Sequence, residues 1–169
     1  MIAVEYLPFT DWDRNERPYP PEVEPLRLQA FPSHDTILIW PDGVYLITAR
    51  TGGRTVGYAL LEEPPRDWSP TDDEPEQFAY LAEVAVDEAH RGGGIGTALV
   101  QQVGRVVVDH MDHCDRILAR FQFHDGQLER RRQWFRSFGF VPLDGPDDSD
   151  WVADDTRVAQ GRGDRPPRR

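Results

Sequence analysis

The sequence predicts a single α/β domain, on three observations. Two β-branched and aromatic runs, Val44 to Arg50 and Thr55 to Leu61, flank a short turn containing Gly52 and Gly53. A nearly uninterrupted apolar run, Phe78 to Val86, passes through a glycine-rich turn, Arg91 to Gly96, into apolar residues at helical spacing. A second strand, helix and strand pattern then follows between Ile117 and Leu143. A chain of 169 residues is the size of one compact domain.

Taken in order, the N-terminal region predicts a strand near Ile2 to Leu7 and a helix near Glu22 to Ala30. The two β runs predict a hairpin. Glu62 to Gln77 holds four prolines and seven carboxylates, which predicts a solvated acidic loop. Phe78 to Val86 is apolar or aromatic except for Glu83, and predicts a strand buried on both faces. Ile95, Ala98, Leu99, Val103, Val106, Val107 and Met111 mark the first long helix. Ile117 to Phe123 is a strand whose alternate face, Leu118, Arg120, Gln122 and His124, is mostly polar. Leu128 to Phe138 is helical, stopped by Gly139, and Phe140 to Leu143 begins another strand. The domain is expected to span residues 1–157, with 158–169 a disordered Arg/Pro-rich tail that has little apolar surface to offset its ordering entropy. The Arg-Gly-Asp triplet at Arg162 to Asp164 is read as a chance product of that composition.

The formal net charge is −11, and every cationic side chain other than histidine is an arginine. Such a field disfavours nucleic acid as a partner and steers cations inward, although it also serves solubility. Cys114 is the single cysteine, so no intramolecular disulfide can form. The opening residues lack the basic start and apolar core of a signal peptide, and no apolar run reaches membrane-spanning length. A cytoplasmic protein is expected, with no membrane partner.

Strand, glycine-rich turn and helix form an arrangement that binds phosphates, because backbone N–H groups converge there and the helix N-terminus adds partial positive charge. A Walker A loop needs a lysine, which the chain lacks, and a GxGxxG fingerprint fails at Thr97 or at Leu99, according to the starting glycine. Arg91, Gly92, Gly93, Gly94, Ile95 and Gly96 do fit RxxGxG.

In these residues the chain resembles the GNAT N-acetyltransferase superfamily. Ala82 to Val100 is similar to that family's motif A, and Phe135 to Phe140 to its later helix ending in Gly-Phe; with the hairpin, the resemblance spans about Val44 to Leu143. It implies a GNAT fold: a mixed, mostly antiparallel twisted sheet of about six or seven strands with about four helices, its fourth and fifth strands splayed. It further implies acetyl-CoA as co-substrate, with the pyrophosphate on the backbone of Arg91, Gly92, Gly93, Gly94, Ile95, Gly96 and Thr97. The pantetheine arm would lie along Val84, Ala85 and Val86, with Phe135 nearby. No metal is implied.

Acetyl transfer needs an unprotonated amine, a donor for the tetrahedral oxyanion and, in many relatives, an acid for the thiolate. The resemblance places the oxyanion donor at the backbone N–H of Val84. Glu83 is the candidate base, since burial raises a carboxyl pKa towards a useful range and a bound water could relay the proton. The plainer reading is a carboxylate paired with an arginine such as Arg120. Glu83 and Val84 should point to opposite faces, and the substrate face is not fixed by sequence.

Two positions depart from the family pattern. Phe135 stands where many members carry a tyrosine acid, so that role is either absent or moved to Tyr80, His124 or a water, and Leu128 stands where an asparagine is frequent. His110, His113 and Cys114 share helical spacing, but a solvated helix end explains them better than a metal site. The expected acceptor is a small cationic amine or a protein amino group, with Asp73 and Glu76 in the acidic loop drawing it in. A non-catalytic acyl-CoA-binding module and a toxin-like protein acetyltransferase are the alternatives, as monomer or homodimer.

Overall fold

The computed structural model describes residues 3–9, 19–31, 43–66, 77–120, 128–145 and 149–161, with residues 5–9 described by their backbone. It contains β1 (Ala3–Phe9), α1 (Glu24–Ala30), β2 (Val44–Thr51), β3 (Arg54–Glu62), β4 (Phe78–Val86), α2 (Ile95–His110), β5 (Arg116–Arg120), α3 (Leu128–Arg136), β6 (Val141–Pro142), β7 (Asp150–Asp154) and α4 (Asp155–Gln160). The strands form one sheet in the order β1-β2-β3-β4-β5-β7-β6. Its described pairings are antiparallel except that of β4 with β5.

The hairpin turn is the tightest available. Thr51 pairs with Arg54, and Gly52 and Gly53 both take positive φ (57° and 77°), which a two-residue turn matched to strand twist requires. β3 continues to Glu62, whose side chain is fully buried, so the solvated loop begins later than its composition predicted.

Apolar side chains bury both faces of the sheet. The larger cluster joins Ile47, Ala59 and Leu81 to Leu99, Val103 and Val107 of α2 and to Phe138, Phe140, Trp151 and Val158. The smaller one joins Tyr19, Val23 and Leu26, in and before α1, to Leu46, Tyr58, Leu60 and Ala85. Pro25 sits in the first turn of α1, where its missing N–H costs no intrahelical bond.

α4 was not legible in the sequence. It carries the order past the expected boundary at Val158, which is fully buried, while 162–169 lie outside the described residues. The helix starts on Asp154, whose side chain accepts from the Arg157 N–H at 3.2 Å. It packs directly on α2, because a Cβ built at Gly104 would lie 2.8 Å from the Ala159 Cα and the Val158 carbonyl carbon. Backbone cannot step aside as a side chain can. Gly104→Ala should therefore destabilise the fold by about 1–3 kcal/mol, measured as a lower urea midpoint; an unchanged midpoint would mean that α4 can move away freely. Among the described residues, no helix is long and apolar enough to cross a membrane.

Candidate active site

The sheet opens beside β4. Its parallel pairing with β5 ends at Leu81↔Ala119, whereas its antiparallel pairing with β3 continues to Gly57↔Val86. Over Ala82–Val86 the edge of β4 that faces β5 therefore has no described strand partner. This is the splay, and Val84, Ala85 and Val86 border it as predicted.

A bulge decides which way the carboxylate of that segment points. Leu60 pairs with Glu83 and Leu61 with Leu81, leaving Ala82 as the extra residue. Strict alternation would put Glu83 on the same face as Leu81, in the α2 core. The bulge instead turns Ala82 and Glu83 both towards the α1 cluster, while Val84 and Val86 return to the α2 side. Glu83 and Val84 thus point to opposite faces, as their parity predicted.

Glu83 is 4% exposed and accepts two phenol hydrogen bonds, from Tyr19 to Oε1 at 2.8 Å and from Tyr58 to Oε2 at 2.6 Å. Arg120 forks onto Asp150 instead, with 2.6 and 2.7 Å contacts across the β5–β7 pair. Burial, reinforced by Glu83, pushes the Tyr58 phenol far above its ordinary range, so it remains a proton donor at any physiological pH. Neither tyrosine was singled out in the sequence, where Tyr58 reads as one aromatic in a strand and Tyr19 as part of a proline-rich stretch. Contacts made 64 and 25 residues away leave no local pattern.

Beyond β4 the chain is pinned before it reaches the glycines. The Asp87 N–H donates to the Val56 carbonyl at 2.9 Å, and the Asp87 carboxylate meets His90 Nδ1 at 2.8 Å. That hydrogen bond holds the Asp87 carboxyl below its usual range. Gly92 and Gly94 take φ of 82° and 81°, and Gly94 caps α2 without any side chain. The first N–H groups of the sixteen-residue helix α2 are thus not taken by a side-chain cap, and the helix dipole adds to them. Arg91 turns its Nε back to the Val86 carbonyl at 3.2 Å. Gly96 packs closely: a Cβ there would lie 3.3 Å from Trp134 of α3.

The remaining candidates are distributed around this opening. Tyr80 is buried opposite Leu118, inside the closed part of the β4–β5 pair, and burial raises its phenol pKa. Phe135 is buried, edge-on to Trp134 at 4.8 Å and to Phe140 at 5.1 Å. His124, Asp73 and Glu76 lie outside the described residues. Among the described residues no group of three or more His, Cys, Asp or Glu side chains could hold a metal ion. His113 Nε2 instead lies 3.0 Å from the Pro64 carbonyl.

Burial pushes the Cys114 thiol from 9.0 up to about 12. The thiolate is the reactive form, so iodoacetamide should label Cys114 only in the unfolded chain at neutral pH. Because the folded value lies above the unfolded one, this thiol supports the fold fully below pH 9 and loses that contribution as pH rises towards 12. Rapid native labelling would contradict the burial.

The model of the acetyltransferase (GNAT) family matches residues 7–140. No curated protein matches the sequence. Among solved structures, a mutant of the toxin AtaT bound to the C-terminus of the antitoxin AtaR and acetyl-CoA is 16% identical, with TM-score 0.58, over 95% of this chain and 97% of that one. The KacTA–DNA complex is 17% identical, with TM-score 0.60 and the same coverages. An aminoglycoside acetyltransferase from an uncultured soil metagenomic sample, in complex with sisomicin, is 15% identical, with TM-score 0.54, over 80% of this chain and 86% of that one. At such identities the structural likeness establishes the fold, and it agrees with the family match, the glycine turn and the splay of β4 from β5. The chain belongs to the GNAT acetyltransferase family and is an acetyl-CoA-dependent acetyltransferase.

Proposed function

We propose that the chain transfers the acetyl group of acetyl-CoA to a primary amine, a small cationic amine or a protein amino group, by direct attack in a ternary complex. The observation that carries this reading is the placement of buried Glu83 on β4 beside the splay, one strand end away from an uncapped helix N-terminus. Arg91 to Thr97 hold the pyrophosphate through backbone N–H groups, and the edge of Val84, Ala85 and Val86 pairs with the pantetheine arm. The Val84 N–H stabilises the oxyanion, and Glu83 removes the proton from the attacking amine.

Phe135 has no proton to give, so the thiolate leaves without a donor from that position. A thiol of pKa about 8.5 is a fair leaving group unaided. The negative field of the chain supports a cationic acceptor. Mass spectrometry of sisomicin, spermidine and a lysine-containing peptide after incubation with acetyl-CoA tests the reading. One added acetyl group on any of them supports it. Calorimetric binding of acetyl-CoA with no acetylated product would favour a binding module.

A further inference from the structure

We propose that Asp87 is a positioning residue for the cofactor: through His90 it fixes where the glycine turn stands against the sheet, and so sets acetyl-CoA affinity without touching the ligand. This rests on Arg91 to Thr97 being the pyrophosphate site and concerns what holds that backbone in place.

The turn has little hold of its own. A Cβ built at Gly92 or at Gly94 meets no heavy atom within 4 Å, and α2 begins without a side-chain cap. Its position is therefore set where it joins its neighbours. On the α2 side packing does this, since Ile95 is buried and Gly96 lies close against Trp134. On the β4 side stands a single 3₁₀ turn, Glu88–His90, which contains no buried residue. Burial cannot fix it, and the Arg91 N–H that closes it reaches the Glu88 carbonyl only at 3.3 Å.

Asp87 ties that turn to the core. Its N–H donates to the carbonyl of Val56, a fully buried residue of β3, and its own carbonyl accepts from the His90 N–H at 2.9 Å. Its carboxylate binds His90 Nδ1 at 2.8 Å. An ionised carboxylate only accepts, so Nδ1 carries the proton, and the charge on Asp87 strengthens the bond. Main chain and side chain of Asp87 thus close together on His90, and the next residue opens the pyrophosphate site. Backbone N–H groups bind a phosphate when they converge, and holding them so beforehand removes an ordering cost from binding. The Arg54 guanidinium also approaches Asp87, at 3.6 Å, but its side chain is 73% exposed and such a contact contributes little.

Asp87→Ala should weaken acetyl-CoA binding about 10-fold by calorimetry. His90→Phe keeps a ring at a partly exposed position and removes the same bond, so it should weaken binding equally, and the double variant no more than either. Asp87→Asn should bind nearly as the wild type does, since its amide oxygen still accepts from Nδ1–H. Arg54→Ala should leave the affinity unchanged. S-acetylpantetheine, the same thioester without pyrophosphate and nucleotide, should bind Asp87→Ala and the wild type alike in an NMR titration. Circular dichroism verifies the fold of each variant. Wild-type acetyl-CoA affinity in Asp87→Ala and His90→Phe, with Gly94→Asp impaired, overturns the clamp and leaves the pyrophosphate site. Equal weakening of acetyl-CoA and S-acetylpantetheine also overturns it, because the damage then is not confined to the phosphates. Unimpaired binding by Gly94→Asp overturns the site and the clamp with it.

Discussion

Gly94→Asp is expected to lower acetyl-CoA affinity by at least about 100-fold, roughly 2.7 kcal/mol, in a protein that still folds. The two halves of that expectation have separate origins. Gly94 has φ of 81°, where an L side chain costs about 1–2 kcal/mol, but a Cβ built there meets no heavy atom within 4 Å. The fold therefore loses a modest part of a stability typically near 5–15 kcal/mol. Binding loses far more, because a carboxylate at the N-cap of α2 confronts the pyrophosphate and competes for the same N–H groups. Gly94→Ala separates the effects, since it carries the backbone strain without the charge and should bind with intermediate affinity. Equal affinities for the wild type and Gly94→Asp by calorimetry would place the cofactor elsewhere.

Glu83→Gln is expected to reduce kcat by about 10²–10⁴-fold with acetyl-CoA affinity unchanged. The affinity should hold because Glu83 faces the α1 cluster, away from the glycine turn at the start of α2. A glutamine fills the same space but brings an NH₂ donor against a phenol that already donates, so one hydroxyl must turn or lose its bond. That costs about 1–3 kcal/mol of stability. Thermal melts beside the kinetics distinguish a cold active site from an unfolded one. Full activity in Glu83→Gln would assign the base elsewhere.

The parts of this site that the sequence revealed are those in which function is local. Arg91 to Gly96 is contiguous, positive φ calls for glycine at Gly92 and Gly94, Gly96 lies close against Trp134, and apolar patterns delimited β4 and α2 to within a residue. Hidden features depend on pairing between distant segments. The bulge at Ala82 exists only relative to β3, yet it selects the face to which Glu83 points. Tyr19 and Tyr58 reach Glu83 from two other segments, and β7 with α4 draws on Trp151 to Ala153 and on Val158, short apolar runs in an Asp-rich stretch. Burial of Glu62 was missed for a related reason. A carboxylate and two prolines follow it in sequence, but it ends a strand enclosed by the sheet.

The most direct measurement is release of free thiol from acetyl-CoA, with and without a cationic amine acceptor, by the wild-type protein and by Glu83→Gln. The account predicts release that depends on the acceptor, saturates with it, and falls at least about 100-fold in the variant. Release that ignores the acceptor, or no release in the presence of tightly bound acetyl-CoA, would contradict amine acetylation at this site.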